Sequence, residues 1–356
     1  MKVLLVANYR NDRQESMLRF ADALENALRA LQIDVTVCRP EPCFGRIKSG
    51  AHGIAKWLGY IDKFLLFPRR LRRMAAAFDV VHVLDHSNAL FIPHVADRPH
   101  VLTCNDMIAV RSALGEFPSN PVGISGRRLQ SLILTGVKKA RRIACISEAT
   151  RQDVLRLTGH ASDRVSVVFM GQNHPYRPSA RPRPSEKPYL LHVGGGAWYK
   201  NRDSVVKMHA ELRRRRGAVA PDLWVTGAFD GPLPSGVHCA GLADNPTLEA
   251  FYTHAEALVF PSLIEGFGWP IIEAQACGCP VITTRQKPMT EVAGDAAVFV
   301  NDPLDVNALT DVVEGLLQMP GDEREAVRTA GWTNAALFTA ERMARDYVEI
   351  YREVAS

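Results

Sequence analysis

The sequence predicts an α/β protein made of two Rossmann-like domains, each an open, mostly parallel sheet with helices on both faces. Three observations carry this. Short apolar runs of strand length alternate with stretches of helical periodicity along the 356 residues. A proline-rich, aperiodic stretch near the middle, residues 173–188, holds five prolines and divides the alternation into two series. Charge divides at nearly the same place. Residues 1–180 carry 26 Lys and Arg against 15 Asp and Glu, a net of +11, and the remainder carries 17 against 23, a net of −6. A basic half and an acidic half point to two domains with different partners.

Composition excludes several classes. With 47% hydrophobic and 23% charged residues the chain is neither disordered nor membrane-spanning in character. No apolar run approaches the ~20 residues of a spanning helix. The start, MKVLLVANYRNDRQ, reads as a first strand and not as a signal peptide. Seven scattered cysteines without CxxC spacing suit reduced thiols in a cytosolic protein, and Cys277-Gly-Cys279 suits packing at a helix end.

In the first series, Lys2–Ala7 is a strand and 8–13 a polar loop. A helix from Glu15 shows Leu18, Ala21, Leu24, Leu28 and Leu31 at helical spacing, and Ile33–Cys38 is the second strand. Arg13 and Gln14 in the first loop are candidates for acceptor contact, against simple solubility and capping. Residues 46–74 carry eight Lys and Arg against one acid, Asp62, with Ile54, Trp57, Leu58, Ile61 and Leu65 on one helical face. Such a face suits either an anionic membrane surface or burial in the domain core. Nothing resembles a nucleic-acid-reading module. Asp79–His86 is a strand ending in polar residues, with His86 a further acceptor candidate, and 98–104 leads to Asn105-Asp106. Residues 111–130, rich in Gly, Pro and Ser, read as a loop suited to acceptor specificity, with Arg111 and Glu116 as candidates. Leu129–Lys139 and Thr150–Leu157 are helices, and Arg142–Ser147 and Val165–Met170 are strands.

The second series starts with strand Tyr189–Val193 and the turn Gly194-Gly195-Gly196-Ala197-Trp198-Tyr199-Lys200-Asn201-Arg202. Glycines allow backbone to approach a phosphate closely, and Lys200 adds a point charge. Strands 223–226 and 237–242 follow, with Gly227 at a turn, then a helix over 248–257. Asp305–Leu317 is helical, and Trp332–Tyr351 reads as one long terminal helix.

The organising stretch is Leu258–Thr284, LVFPSLIEGFGWPIIEAQACGCPVITT. Leu258–Phe260 is a buried strand, 265–269 a Gly-rich turn, and Pro270 stands at the first helical position. The helix ends at Gly278 and Pro280–Thr284 is the next strand. Ligands of such sheets sit beyond the carboxyl ends of the strands. Amides at the turn favour a diphosphate. Glu265 and Glu273 would repel phosphate, so they suit sugar hydroxyls.

This stretch, PSxxEGFGxPxxEAxACGxPVI, resembles the donor-site signature of retaining glycosyltransferases of family four, which have the GT-B architecture and use nucleotide-diphosphate sugars. The resemblance extends to Lys200-Asn201 and to the turn 290–297, and less specifically to nearly the whole chain. It implies two domains facing each other across a cleft: an acceptor domain over 1–172 and a nucleotide-sugar domain over 189–335, with a terminal helix over 336–356 crossing back to the first. It implies Glu273 on the ribose, Glu265 on the transferred sugar, and the amides of Gly266, Phe267 and Gly268 near sugar and diphosphate. Gly194, Gly195, Lys200, Arg202 and Gly227 would complete the nucleotide-sugar site. Two positions depart from the pattern. Asn105 of the Asn105-Asp106 turn, two residues in the catalytic group with Lys200 and Glu265, stands where the family has a histidine. Gly195 stands where it has an arginine, for which Arg202 could compensate. No Asp-x-Asp occurs, so no metal and no cofactor is expected.

The resemblance implies hexosyl transfer, with mannose from a GDP- or UDP-linked sugar as the first expectation. The acceptor would be a lipid-linked or membrane-proximal glycan of surface polysaccharide (lipopolysaccharide) synthesis. The protein would be cytoplasmic and peripheral to the inner face of the plasma membrane through residues 46–74. A catalytically impaired binding protein, suggested by Asn105, and a nucleotide-sugar 2-epimerase on the same fold are the alternatives.

Overall fold

The computed structural model describes residues 1–12, 14–43, 61–229 and 231–356. The chain forms two compact units, Met1–Asn173 with Thr339–Ser356, and His174–Phe338.

The first unit holds a six-stranded parallel sheet: β1 (Lys2–Val6), β2 (Asp34–Cys38), β3 (Val80–Val83), β4 (His100–Cys104), β5 (Arg142–Cys145) and β6 (Val165–Val167), in the order β2-β1-β3-β4-β5-β6. Parallel strands buried on both faces need continuous apolar sequence. Val3–Val6 and the valines of β3 are fully buried accordingly. The chain leaves β1 for β2 on one side and returns to β3 on the other. The carboxyl ends of β1 and β3 therefore flank a topological switch point.

The second unit repeats the plan with β7 (Tyr189–His192), β8 (Asp222–Thr226), β9 (Val237–Gly241), β10 (Ala257–Phe260), β11 (Val281–Thr284) and β12 (Val298–Val300), in the order β12-β11-β10-β7-β8-β9. Its switch point lies between β7 and β10. The turns after those two strands are the Gly194–Lys200 and Glu265–Gly268 turns picked out from sequence. Helix Trp269–Ala276 starts from Gly268, whose φ of +108° suits glycine alone. Pro270 is its second residue, not its first, a position equally free of an intrahelical amide bond.

Two expectations need correction and a third gains detail. Residues 111–130 are not one loop: helices Ile108–Ala113 and Ile124–Val137 take both ends. Gly136 explains the second, because a Cβ there would lie 2.3 Å from the Ala89 carbonyl oxygen. The terminal helix is two helices, Gly321–Ala335 and Ala340–Ala355. The second is started by Thr339, whose side chain accepts from the Arg342 amide at 3.1 Å. The proline-rich segment, at whose start the two units divide, is bonded over residues 174–181 to helix Asn245–His254. His174 Nε2 pairs with Glu249 Oε1 at 3.0 Å, the Ser179 amide donates to Thr253 Oγ1 at 2.9 Å, and His254 Nε2 donates to the Arg181 carbonyl at 2.9 Å.

Helix Ala340–Ala355 belongs to the first unit, held by a buried polar line. His82 Nδ1 lies 2.6 Å from Tyr351 Oη, His82 Nε2 2.7 Å from Thr103 Oγ1, and Thr103 Oγ1 2.8 Å from Tyr347 Oη. Burial holds the His82 imidazole neutral, its pKa lowered to about 3. All seven cysteines are free thiols.

Candidate active site

At the switch point of the second unit, Lys200 Nζ donates to Glu265 Oε1 at 2.8 Å. The two side chains are only 17% and 8% exposed, so this is a desolvated pair and not a surface one. The ammonium also lies 5.0 Å from the Phe260 ring centre. The turns are tied together through backbone, with the Leu263 amide donating to the Tyr199 carbonyl at 2.8 Å. Asn201, in left-handed geometry at φ +56°, donates from Nδ2 to the carbonyls of Pro261 and Pro303 at 3.1 and 2.8 Å.

Glycines of the first turn divide by purpose. A Cβ on Gly194 would meet the Lys200 stem at 3.3 Å. At Gly227, φ is +80° and a Cβ would lie 3.2 Å from the Gly194 carbonyl oxygen, so glycine is needed where two turns meet. Gly195 and Gly196 have no left-handed φ, and a Cβ on either would meet nothing within 4 Å among the described residues. Their missing side chains relieve no close contact among the described residues and leave open backbone, the surface a phosphate group needs. Beside them a cavity of about 310 Å³ is lined by Gly196, Trp198, Asn201, Arg202 and Phe229.

Arg202 is occupied otherwise than expected. Its Nη1 donates to the Ala228 carbonyl at 2.5 Å, and Nη2 to the Gly194 and Thr226 carbonyls at 2.6 and 3.0 Å. The guanidinium clamps the two turns and does not point its fork outward. Its buried Nε has no partner among the described residues.

Glu273 is 7% exposed and accepts from Tyr252 Oη at 2.9 Å. Burial, then the charge of Glu273, pushes the Tyr252 phenol well up, so it stays a donor. Phe267 is buried and packs edge-on against Phe338 at 5.8 Å, carrying Gly266 and Gly268 on a fixed turn. Below the first turn, His192 Nδ1 donates to the Val259 carbonyl at 2.9 Å. Burial lowers its pKa to about 4 and leaves Nε2 an acceptor with no partner among the described residues. Neither Tyr252 nor His192 stands in a motif that marks it in the sequence.

In the first unit, Gln14, His86 and Asn105 converge on a residue that sequence reasoning did not nominate, Asp85. Its carboxylate accepts from Asn8 Nδ2 and Ser87 Oγ, both at 2.6 Å, and from Asn105 Nδ2 at 3.3 Å. Gln14 Oε1 accepts from Asn8 Nδ2, and Asn88 Nδ2 donates to Asn8 Oδ1 at 3.2 Å. His86 Nδ1 comes within 3.2 Å of Asp85 Oδ1 without the alignment of a hydrogen bond. Burial alone would raise the Asp85 pKa, but His86, Ser87 and Asn8 outweigh it and hold the carboxyl below its usual value. The run Asp85-His86-Ser87-Asn88 directly after a four-residue strand was the available signal.

The other nominated residues serve local structure. Asp106 Oδ1 accepts from the Ile108 amide at 2.9 Å and so caps a helix start. Arg111 and Glu116 pair with each other at 2.7 Å, in a network with Asp153 and Arg156. Hydrogen bonding from Arg156 leads in lowering the Glu116 pKa. Arg13 lies outside the described residues, as do 46–60 of the basic stretch 46–74. Among the described residues no cluster of three or more His, Cys, Asp or Glu side chains could hold a metal.

Comparison with known proteins finds glycosyltransferase domains in both halves of the chain. Residues 17–174 match the model described as Glycosyltransferase Family 4, and residues 187–319 match Glycosyl transferases group 1. The chain is 26% identical over 314 residues to O-antigen chain mannosyltransferase B of Escherichia coli, covering 81% of this chain and 78% of that one. It is 28% identical over 304 residues to D-inositol 3-phosphate glycosyltransferase of Arthrobacter sp., covering 76% and 72%. Among solved structures, sucrose-phosphate synthase from Thermosynechococcus elongatus superposes with TM-score 0.75 at 17% identity, over 99% of both chains. The α,α-trehalose 6-phosphate synthase of Burkholderia multivorans gives 0.70 at 13%, over 99% and 98%. These structures share the fold, two Rossmann-like units of GT-B type. The chain is a glycosyltransferase and belongs to glycosyltransferase family four.

Proposed function

We propose that the protein transfers a hexose, mannose in the first instance, from a nucleotide-diphosphate sugar to a lipid-linked or membrane-proximal glycan, with retention and without a metal. The observation that carries this is the desolvated Lys200–Glu265 pair at the second unit's switch point, with Gly195 and Gly196 on one of its two turns and buried Glu273 in the helix that follows the other. An ammonium has three donors, and Glu265 occupies one. The others can meet a leaving diphosphate, so the positive charge that departure requires is already supplied by protein. Glu273 would take the ribose hydroxyls and Glu265 a hydroxyl of the transferred sugar, where it orients and does not act as a base. The polar carboxyl edge of the first sheet would take the acceptor.

Mannose and polysaccharide synthesis are supported by the relatives named as O-antigen mannosyltransferases. A GDP-mannose, UDP-glucose and UDP-N-acetylglucosamine panel, read as metal-free turnover or slow donor hydrolysis, tests the donor. GDP-mannose should be the fastest, and turnover with UDP sugars alone would refute the mannose assignment.

Membrane proximity is supported by residues 61–74. Ile61, Leu65 and Leu66 are exposed beside exposed Arg69, Arg72 and Arg73. Lys63 and Arg70 are paired with Asp12 and Glu41. Arg69, Arg72 and Arg73, with no ion-pair partner among the described residues, would each contribute on the order of 1 kcal/mol at an anionic leaflet. No described helix is long and apolar enough to cross a membrane. Cosedimentation with anionic but not neutral vesicles at physiological salt is expected, and equal partition to both would remove the membrane reading.

A further inference from the structure

The side-chain amides of Asn8 and Asn105 both point their nitrogens at Asp85. Asp85 Oδ1 accepts from the Ser87 amide at 3.0 Å and Asn105 Nδ2 at 3.3 Å, and Asn105 Nδ2 also faces the Leu84 carbonyl at 3.4 Å. A backbone carbonyl and an ionised carboxylate can only accept, so this network fixes which end of the Asn105 amide faces them. Asn105 Oδ1 is left on the other side. It is buried, in a residue 5% exposed, and has no partner among the described residues. Buried acceptors are nearly always satisfied, and an orphan at the carboxyl edge of a parallel sheet calls for a partner from outside the chain.

We infer that Asp85 is a positioning residue, which holds Asn105 with its carbonyl oxygen presented as the hydrogen-bond acceptor for one sugar hydroxyl of the substrate. The inference rests on the proposed transfer of a sugar. Charge narrows the ligand further. Asp85 lies directly behind Asn105, so a phosphate or carboxylate would meet a lone pair backed by a negative charge, whereas a hydroxyl donates to it. This edge of the first unit therefore reads carbohydrate and excludes the diphosphate. The hydroxyl can belong to the transferred sugar or to the acceptor sugar, since both offer the same chemistry.

Asp85→Asn offers the discriminating variant. It places an amide donor behind position 105, which favours rotation of the Asn105 amide and presents nitrogen where oxygen stood. The double variant Asp85→Asn/Asn105→Asp restores an acceptor oxygen facing the substrate. The measurement is kcat/KM for wild type and both variants with GDP-mannose and its monodeoxy forms, using methyl α-mannoside and its monodeoxy forms as simple acceptors. Wild type should lose about 10- to 100-fold for one deoxy analogue, the range of a lost buried hydrogen bond. Asp85→Asn should lose a similar factor for the parent sugar and little more for that analogue, and the double variant should recover part of it. Coupling to a deoxy donor assigns the hydroxyl to the transferred sugar, and coupling to a deoxy acceptor assigns it to the acceptor. Losses identical for the parent and every analogue would reduce Asp85 to a fold-supporting residue and overturn the inference. The same panel run with UDP-glucose and its deoxy forms separates a wrong donor from a wrong inference. Independently of turnover, the Asn105 side-chain NH2 signal, assigned by its absence in Asn105→Asp, should exchange slowly with solvent. Exchange as fast as an exposed amide would overturn the fixed orientation, and this readout needs only Asn105→Asp, not the Asp85 variants, to fold.

Discussion

Lys200 and Glu265, 65 positions apart in sequence, meet at 2.8 Å on the turns after the two central strands of the second sheet. The pair ties the two turns and holds a cation beside open glycine backbone. Removing either partner leaves the other desolvated and unpaired. Lys200→Ala is expected to lower kcat/KM by about 10²–10³, the scale of a lost charge-stabilising donor. It should also destabilise the second unit by about 1–3 kcal/mol. Kinetics together with urea unfolding separate the two effects, and unchanged kcat/KM would remove Lys200 from the chemistry.

The Tyr252–Glu273 hydrogen bond should appear in nucleotide affinity. Glu273→Ala is expected to weaken nucleotide diphosphate binding by about 1–3 kcal/mol, and Tyr252→Phe by about 0.5–1.5 kcal/mol through looser orientation of the carboxylate. Calorimetry reads both. A Tyr252→Phe protein binding as tightly as wild type would show that Glu273 is held by its other surroundings.

Arg202 is predicted to act through the turns. Arg202→Lys cannot reproduce a planar fork reaching carbonyls on two loops. Donor KM should rise several-fold with kcat less affected, and Gly227→Ala, forced to φ +80° against the Gly194 carbonyl, should do the same with a loss of about 1–2 kcal/mol of stability. A fall in kcat with KM unchanged would instead place the guanidinium on the leaving group.

Two buried neutral histidines make stability fall in acid. His82 and His192 have folded pKa values lowered to about 3 and about 4, against 6.5 unfolded. The unfolded chain therefore binds more protons below pH 6.5, and stability rises with pH through that window. Each contributes a slope of about 1.4 kcal/mol per pH unit between 6.5 and its folded value. Urea midpoints from pH 7.5 to 5 check this, and His82→Gln should lower the slope by one group's share. A midpoint independent of pH over that range would contradict the buried, neutral assignment.

The strand–turn–helix around Glu265 and Glu273 was legible because its signals are local: an apolar strand, glycines at a tight turn, and proline at a helix start. Lys200 was legible as a charge beside glycines, but no spacing rule pairs it with Glu265. Asp85 was hidden for a related reason, since its partners Asn8, Ser87 and Asn105 come from the ends of three strands and meet only when the sheet forms. Local composition also misled. Gly123 and Gly126 read as loop, yet helix Ile124–Val137 forms by packing Gly136 against Ala89. The prolines of 173–188 read as a tether, yet side-chain bonds to helix Asn245–His254 hold them. The break near 336–339 carries no glycine or proline. It follows from Phe338 packing on Phe267 in one unit while Met343 contacts Gly171 in the other.

The most direct test of the donor site is metal-free calorimetry of wild type and Glu273→Ala with GDP, UDP and ADP. The account predicts saturable binding of one nucleotide, GDP first, weakened roughly 5- to 150-fold by the substitution, the factor equivalent to 1–3 kcal/mol. Binding of no nucleotide, or equal affinity in both proteins, would contradict the assignment of the second unit's switch point as the nucleotide-sugar site.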